Sequence, residues 1–312
     1  MMRICDCASL LKDKDNFLIL THTRPDGDTL CSAAALCSAL RRLGKTAYLY
    51  NNPEITETYV SFVKDYICSC EMDKPYIVSV DTADLRMLPL GFEGKVALAI
   101  DHHASNPGYA AENLIMGGKA ACGEIILELI EELCGGLTQE EANLIYAAIS
   151  TDTGCFCYGN TNPDTLRAAA KVIEYGAENG WLNKLLFRSM SFPRLKLEGL
   201  LYANMRSYRD NTINVAVVTQ DMMRESGATE DDCDDLASLA GKVRGSIVSI
   251  TVRELPEGRS KASVRTNDQV NASAICARFG GGGHAMAAGC NADMGPYELA
   301  DALLKVVYEV ME

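Results

Sequence analysis

The four histidines of this chain stand beside acids or glycines, and none lies inside an apolar stripe. They are His22, His102, His103 and His284. Aspartates occupy similar positions: Asp26 and Asp28 after His22, Asp101 before His102, and Asp81 and Asp152 elsewhere. Clustered carboxylates cannot all stay ionised unless cations compensate them, because like charges raise one another's pKa. Mixed imidazole and carboxylate ligands without cysteine favour Mn²⁺, Mg²⁺, Fe²⁺ or Zn²⁺ over soft metals.

The number of these side chains indicates more than one cation. The candidate ligands are His22, Asp26, Asp28, Asp81, His102 and Asp152. Such a set is large enough for two divalent cations about 3.5–4 Å apart that share one carboxylate and activate a water molecule for hydrolysis. Each aspartate alone could equally cap a helix. Their coincidence at four separate strand or helix ends favours the metal site.

Short apolar runs place most of these residues at strand ends. The runs 17–22, 77–81 and 96–101 predict buried parallel strands, and each ends on a polar residue. Helical patterns cover 29–43 and 122–134, and two further helix starts are marked by Thr138 with Glu141 and by Asn162-Pro163. Alternating strands and helices predict an α/β domain with a doubly wound, mainly parallel sheet, whose ligands bind at the carboxyl ends of the strands.

The second half of the chain follows another pattern. Residues 181–208 are mostly helical and show no strand signal, and β-rich runs resume at 212–218, 246–254 and 261–266. Helical stretches at 271–279 and 296–311 complete a smaller C-terminal α/β domain. The expected organisation is a metal-binding domain over 1–185, a helical connector over 186–210 and a substrate-binding domain over 211–312. The leucine-rich connector could pack within its own chain or across a homodimer.

Composition and charge exclude several classes of protein. With 312 residues, 48% hydrophobic and 23% charged, the chain is a globular protein of two domains. A net charge of −13 opposes binding to long duplex nucleic acid and to anionic membranes. The N-terminus lacks the apolar core of a signal peptide, and no apolar stretch is long enough to span a bilayer. We therefore expect a cytoplasmic protein whose thirteen cysteines are reduced.

Four motifs of the first half resemble those of the DHH phosphoesterases. They are His22-Thr-Arg-Pro-Asp26-Gly-Asp28, Asp81-Thr-Ala-Asp84, Asp101-His102-His103-Ala-Ser-Asn106 and Thr151-Asp152-Thr153-Gly154. The second half adds Ser263-Val-Arg265-Thr and the run from Gly280 to Gly289, which are similar to the DHH-associated C-terminal domain. These motifs stand in the family's order and cover nearly the whole chain, whereas the glycine run alone would be a weak signal.

The resemblance implies roles for individual residues. One cation would be held by His22, Asp26 and Asp81, and the other by Asp28, Asp81, His102 and Asp152. Asp81 would bridge the two cations, and His103 would stand beside the scissile phosphate. In the second half, Arg265 and the glycine-rich loop would bind substrate phosphate, with His284 as a further donor. The substrate-binding residues so implied are Arg265, Gly281, Gly282, Gly283 and His284.

One position departs from the family pattern. After Asp28 the family usually has two residues and then Gly-Ser, whereas this chain has Thr29-Leu30 and then Cys31-Ser32. The glycine would let the start of the helix approach the site, so Cys31 puts the width of the pocket or the geometry of the metal site in question. A tolerated small residue is the favoured interpretation of Cys31, and a functional thiol is the other.

The expected activity is hydrolysis of phosphoesters in short nucleotides. The first hypothesis is an Mn²⁺-dependent hydrolase of short oligoribonucleotides (nanoRNA) and of 3′-phosphoadenosine 5′-phosphate (pAp), with two cations. The second is a phosphodiesterase for linear or cyclic dinucleotides. A nucleotide-binding module that has lost catalysis is the alternative from another class, but such a loss normally removes metal ligands, and all six candidates are present together with His103.

Overall fold

The computed structural model describes residues 2–233, 235–267 and 269–311. The chain divides into two compact units, Met1–Ser189 and Met190–Glu312. No helix within the described ranges is both long enough and apolar enough to cross a membrane.

The first unit is built on a sheet of five parallel strands. The strands are β1 (Phe17–Leu20), β2 (Ala47–Leu49), β3 (Tyr76–Val80), β4 (Leu98–Asp101) and β5 (Glu112–Ile115). Their order in the sheet is β2-β1-β3-β4-β5, and every neighbouring pair is parallel. All four residues of β1 and all four of β4 are buried, as expected for strands covered on both faces.

Seven α-helices accompany this sheet within the described residues 2–189. They are α1 (Ile4–Asp13), α2 (Gly27–Arg42), α3 (Glu57–Val63), α4 (Cys122–Cys134), α5 (Gln139–Asp152), α6 (Pro163–Glu174) and α7 (Asn179–Phe187). Helix α2 packs against both α4 and α5, and the main hydrophobic core lies between these helices and one face of the sheet. The other face, with Leu18 and Leu20, packs against Leu88 and Val96 from the segment between β3 and β4.

The strand order determines where a site can form. In a parallel sheet of order 2-1-3-4-5, the connections leave β1 and β3 in opposite directions, and a crevice opens at their carboxyl ends. His22 lies two residues after β1, Asp81 directly follows β3, and His102 directly follows β4. These three side chains therefore lie at the same edge of the sheet.

The second unit contains a mixed sheet of six strands. The strands are β6 (Arg206–Tyr208), β7 (Ile213–Val218), β8 (Val248–Glu254), β9 (Ser260–Thr266), β10 (Gly282–Gly283) and β11 (Ala287–Ala292). Their order is β10-β11-β9-β8-β7-β6, in which β7 and β8 are parallel and the other pairs are antiparallel. Buried and accessible residues alternate along β9, so one face of the strand is packed and the other carries polar side chains.

The helices of the second unit pack on both sides of this sheet. They are α8 (Phe192–Asn204), α9 (Gln220–Ser226), α10 (Leu236–Leu239), α11 (Ala272–Ala277) and α12 (Pro296–Val310). Helices α11 and α12 share a core with the buried residues of β7, β8, β9 and β11. A smaller cluster joins α8, α9 and α10 through Leu197, Leu201 and Leu236.

The predicted α/β class with a parallel N-terminal sheet is confirmed. The two predicted helix starts are also confirmed: Thr138 and Glu141 cap each other, and Asn162 accepts from the amides of Asp164 and Thr165. The helical pattern of 181–208 differs in one respect, because its helices end at Asn204 and a short strand, β6, follows. Helix α7 belongs to the first unit and α8 to the second.

Candidate metal centre

Three side chains from two strand ends and the start of α2 form a first group of ligand atoms. His22 Nε2 lies 3.7 Å from Asp26 Oδ1 and 4.0 Å from Asp81 Oδ2. The ligand atoms of these three residues all lie within 4.8 Å of one another. His22 and Asp81 are buried, whereas Asp26 is accessible. The group could hold one cation.

A second group lies around His102. Its Nε2 atom is 3.9 Å from Asp28 Oδ2 and 3.7 Å from Asp152 Oδ2, and the three ligand atoms again lie within 4.8 Å of one another. Asp28 comes from the first turn of α2, and Asp152 is the last residue of α5. The close packing of α2 against α5 thus brings the two carboxylates together from distant parts of the sequence.

Asp81 stands between the two groups. Its Oδ1 atom lies 3.3 Å from His102 Nε2, while its Oδ2 atom faces His22. The residue is 3% exposed, and Oδ1 has no hydrogen-bond partner among the described residues. A buried carboxylate oxygen without a donor is costly, and a cation is the partner that such an atom lacks. The residues present therefore fit divalent cations.

The imidazole rings are oriented for this purpose by backbone carbonyls. His22 Nδ1 lies 2.8 Å from the carbonyl oxygen of Thr23, and His102 Nδ1 lies 3.1 Å from that of Lys119. Since a carbonyl can only accept, Nδ1 of each ring carries the hydrogen. Nε2 is then the atom that each ring turns toward the carboxylates, and metal-binding histidines commonly use this arrangement.

Asp28 is held by the beginning of helix α4. Its Oδ2 atom accepts from the amide of Cys122 at 2.6 Å, and Oδ1 accepts from the amide of Gly123 at 3.0 Å and from Ser32 Oγ at 2.9 Å. The first amides of a helix have no partners within it and favour a negative charge. These donors fix the carboxylate without using every lone pair, so it can still bind a cation.

Burial and mutual repulsion shift the titration of the cluster. Burial raises the pKa of Asp28 well above its usual range, and the charges of Asp81 and Asp152 add to this effect. Burial also raises the pKa of Asp152 to about 6. Burial on its own would lower the pKa of His102, but its contact with Asp81 and the charges of Asp28 and Asp152 raise it to about 10. Such a cluster favours positive charge at its centre.

His103 has a partner of its own outside these two groups. Its Nδ1 atom lies 2.7 Å from Asp101 Oδ1, and Asp101 is fully buried. The other oxygen of Asp101 accepts from Asn106 Nδ2 at 2.6 Å, which in turn also donates to the carbonyl of Thr82. The hydrogen bond to Asp101 is the main reason that the pKa of His103 is raised. The ring is partly exposed, and Nε2 is the nitrogen that can meet a substrate.

The structure places Cys31 in the hydrophobic core. The residue is fully buried within α2, and burial raises the pKa of its thiol. All thirteen cysteines of the chain are free. A buried protonated thiol acts as a small apolar side chain, which agrees with the favoured interpretation of this position.

Gly27 lies where α2 touches the end of α5. A Cβ atom there would stand 2.5 Å from Thr151 Oγ1 and 2.6 Å from Thr151 Cγ2. Gly27→Ala should therefore push Asp28 and Asp152 apart, lowering hydrolysis by about 10²-fold and stability by about 1–3 kcal/mol. Activity assays with thermal unfolding would measure both. Gly180→Ala in α7 is the matched control, because a Cβ there meets open space, and an unchanged Gly27→Ala enzyme would contradict the argument.

The residues predicted to bind substrate lie together in the second unit. Arg265 on β9 pairs with Ala287 on β11, and β11 pairs in turn with Gly282 and Gly283 on β10. Arg265 lines a cavity of about 340 Å³. The other lining residues include Thr251, Arg253, Lys261 and Ser263 from the same face of β8 and β9. The cavity has three basic side chains and one carboxylate, Asp235, and this excess of basic groups suits an anion, although Arg253 also pairs with Glu230 at 2.5 Å.

The glycine run serves two structural purposes. Gly280, with φ of +71°, follows α11, and the amide of Gly281 donates to the carbonyl of Cys276. This is a glycine C-cap, the alternative interpretation of the run. Gly281 is then so close to β11 that a Cβ atom would lie 2.2 Å from the carbonyl oxygen of Gly289. Gly282, Gly283 and His284 are exposed, and the amide of His284 donates to Ala287 in the turn that follows.

Some contributors to the site were missed by the sequence analysis. Asp101 was seen only as part of a motif, yet it orients His103. The amides of Cys122 and Gly123 were also missed, although the predicted start of the helix at 122 is a signal for an anion site. The carbonyl of Lys119 left no signal, because any residue type offers one.

Comparison with known proteins agrees with the geometry. Residues 16–149 match the DHH family, N-terminal domain, and residues 211–312 match the DHHA1 domain. The chain is 34% identical over 298 residues to the bifunctional oligoribonuclease and PAP phosphatase NrnA of Thermus thermophilus, covering 94% of this chain and 89% of that protein. The chain belongs to the DHH family. As a DHH family phosphoesterase, it is a metal-dependent hydrolase.

Other relatives of this DHH family protein are more distant in sequence. The bifunctional oligoribonuclease and PAP phosphatase NrnA of Bacillus subtilis is 25% identical and is matched over 93% of both chains. The crystal structure of an exopolyphosphatase-related protein from Bacteroides fragilis superposes with a TM-score of 0.86, covering 99% of this chain and 98% of the other at 21% identity. The last comparison shows a common fold.

Proposed function

We propose that this DHH family protein hydrolyses short oligoribonucleotides and pAp with two divalent cations, Mn²⁺ being the expected metal. The observation that carries the proposal is the convergence of six side chains into two ligand groups around Asp81. The substrates are supported by the relatives at 34% and 25% identity, which are both bifunctional oligoribonucleases and PAP phosphatases. The net charge of −13 agrees with short rather than long nucleic acids.

We assign one cation to His22, Asp26 and Asp81, and the other to Asp28, Asp81, His102 and Asp152. Cations held by these residues would activate a water molecule for attack and neutralise charge on the phosphate. Asp81, buried between the groups, holds the two positions at a fixed separation. His103, fixed through Nδ1 by Asp101, donates from Nε2 to an oxygen of the scissile phosphate and stabilises its developing charge.

The second unit is proposed to bind a further phosphate of the substrate. Arg265 presents a planar group with several donors at the basic cavity, and the exposed backbone of Gly282 and Gly283, which follows the partly buried Gly281, can approach an anion closely. His284 adds a side chain at the end of this run. A substrate with two phosphate groups, such as pAp or a short oligonucleotide, matches a protein with separate sites for each.

The test is hydrolysis by the purified protein of pAp, pApA, a short RNA series and pyrophosphate, with Mn²⁺ and with EDTA. We expect Mn²⁺-dependent release from pAp and from RNAs of a few nucleotides, and loss of release with EDTA. Activity on dinucleotides alone would favour the dinucleotide phosphodiesterase, and silence on every substrate despite bound Mn²⁺ would favour a binding module. Either outcome overturns the proposal.

The same assay tests the role of the second unit through Gly282→Ala. A Cβ atom at Gly282 meets open space, so the variant should fold normally. If substrate phosphate approaches this backbone, the added methyl group raises the KM for pAp by about tenfold, which corresponds to about 1.4 kcal/mol of lost binding. Gly295→Ala, which also meets open space, serves as the control.

A further inference from the structure

A single peptide group links His102 to a buried carboxylate. The carbonyl oxygen of Lys119 lies 3.1 Å from His102 Nδ1. The amide of Ala120, which belongs to the same peptide bond, donates to Glu124 Oε1 at 3.1 Å. The contacts form a chain that runs from the carboxylate through the peptide to the imidazole. Neither Glu124 nor this peptide belongs to the ligand groups described above.

Glu124 is an unusual residue in its position. It lies in the first turn of α4 and is 1% exposed, although it carries a carboxyl group. Oε1 also accepts from Thr165 Oγ1 at 2.8 Å, and Oε2 lies 3.7 Å from Lys119 Nζ. Oε2 has no hydrogen-bond partner within the described residues. Charged side chains are almost never fully buried unless partner groups compensate the loss of their hydration, and here one oxygen has no hydrogen-bond donor.

We propose that Glu124 is a positioning residue for His102, acting through the peptide between Lys119 and Ala120; the proposal rests on the metal centre proposed above. A carboxylate that accepts from the amide polarises the peptide and makes its carbonyl a stronger acceptor. The hydrogen on His102 Nδ1 is thereby held in place, and Nε2 becomes a better donor of electrons to a cation. Metal-binding histidines often contact a carboxylate directly, and here a peptide stands between the two groups.

A second contact ties the same segment to the metal centre. Asn160 Nδ2 donates to the carbonyl of Ala120 and to the carbonyl of Asp152, each at 3.1 Å. Ala120 is thus joined to Glu124 through its amide and to the end of α5 through its carbonyl. Both connections lead to the group formed by Asp28, His102 and Asp152.

The first ligand group has no such link through a peptide to Glu124. His22 Nδ1 contacts the carbonyl of the adjacent Thr23, and the Lys119–Ala120 peptide has no contact with His22 among the described hydrogen bonds. Glu124 should therefore influence one of the two cation sites and leave the other unchanged. This selectivity separates a positioning role from a general contribution to stability.

The experiment is a titration of the metal-free protein with Mn²⁺, in which free Mn²⁺ is counted by electron paramagnetic resonance. Glu124→Gln keeps the size of the side chain and an oxygen for the Ala120 amide but removes the charge. We expect two sites in the wild-type protein and a 10–100-fold weaker affinity at one of them in Glu124→Gln. Glu128→Gln is the matched control, because Glu128 pairs with Lys119 at 2.5 Å from the next turn of α4 without reaching the Ala120 amide.

Two backgrounds identify the affected site. With His22→Ala, which leaves the His102 site, Glu124→Gln should still weaken Mn²⁺ binding 10–100-fold. With His102→Ala, which leaves the His22 site, Glu124→Gln should have no effect. Equal affinities in the wild-type protein, Glu124→Gln and Glu128→Gln would overturn this inference alone, as would equal weakening of both sites. A wild-type protein without bound Mn²⁺ would overturn the metal centre and this inference together.

Thermal unfolding in EDTA separates a folding defect from the proposed effect. Because Glu124→Gln retains the acceptor for the Ala120 amide, its metal-free form should unfold close to the wild-type temperature. If the variant fails to fold, Asn160→Ala replaces it. Asn160 is exposed, and this change removes only the two hydrogen bonds that join the carbonyls of Ala120 and Asp152. Asn160→Ala should weaken the same site, and unchanged Mn²⁺ binding in that variant would overturn the role of the Lys119–Ala120 segment.

Discussion

Asp81→Asn is expected to lower Mn²⁺-dependent hydrolysis by at least about 10³-fold while the protein stays folded. The rate effect follows from the position of the carboxylate between the two ligand groups. An amide supplies no negative charge, and metal ions contribute several kcal/mol to charge stabilisation in the transition state. Since about 1.4 kcal/mol corresponds to a tenfold change in rate, loss of the cations accounts for this magnitude.

The choice of asparagine is dictated by the backbone. Asp81 has a φ of +55°, in the left-handed region that disfavours most side chains. Asparagine adopts this conformation more readily than other residues with a Cβ atom, and it has nearly the same volume as aspartate. A loss of activity in Asp81→Asn therefore reports on charge rather than on strain. A β-branched residue at this position would mix the two effects.

The measurement combines turnover with thermal unfolding at several Mn²⁺ concentrations. The wild-type protein should gain about 2.7 kcal/mol of stability for each site at a free Mn²⁺ concentration 100 times its Kd, and Asp81→Asn should gain much less. Asp84→Asn is the control, because Asp84 follows three residues later and pairs with the exposed Arg86. A variant Asp81→Asn that retained two bound Mn²⁺ ions and normal turnover would refute the bridging role.

Elements with strong local patterns could be predicted from the sequence alone. The runs 17–22, 77–81 and 96–101 correspond to β1, β3 and β4, and 122–134 matches α4. Strand β2 was missed because it has only three residues. Strand β11, Ala-Ala-Gly-Cys-Asn-Ala, contains no β-branched or aromatic residue, so only its pairing with β9 and β10 makes it a strand.

The candidate metal centre could be predicted as a set of residues but not as an arrangement. Motifs named the side chains, since aspartate and histidine at strand ends are visible in one dimension. The separation of Asp28 and Asp152 depends on how closely α2 approaches α5, which is decided by the contact of Gly27 with Thr151. The support given by the Lys119 carbonyl and by the α4 amides is made of backbone atoms. Sequence patterns record side chains and therefore leave such support out.

Asp101→Asn is expected to lower kcat by about 10²-fold or more while both cations remain bound. Asp101 belongs to neither ligand group, and its two oxygens accept from His103 and Asn106. An asparagine has one acceptor oxygen and one NH₂ group, whereas His103 and Asn106 each need an acceptor. The N–H group of either His103 or Asn106 would therefore face the NH₂ group and lose its hydrogen bond. His103 then loses its fixed orientation or its tautomer, and loss of one positioned donor to a developing charge lowers rates by about 10²–10³-fold.

The pH dependence of kcat distinguishes this effect from a loss of metal. The hydrogen bond to Asp101 raises the pKa of His103, so the cationic ring persists to higher pH in the wild-type protein. Without the carboxylate the pKa of His103 falls toward its ordinary value. A step that requires the cationic ring is then lost at lower pH, and the alkaline limb of the profile should move toward acid in Asp101→Asn. In Asn106→Ala the charge of Asp101 is kept, so the limb should stay near its wild-type position. Asp101→Asn with wild-type kcat and an unmoved limb would show that His103 acts without this partner.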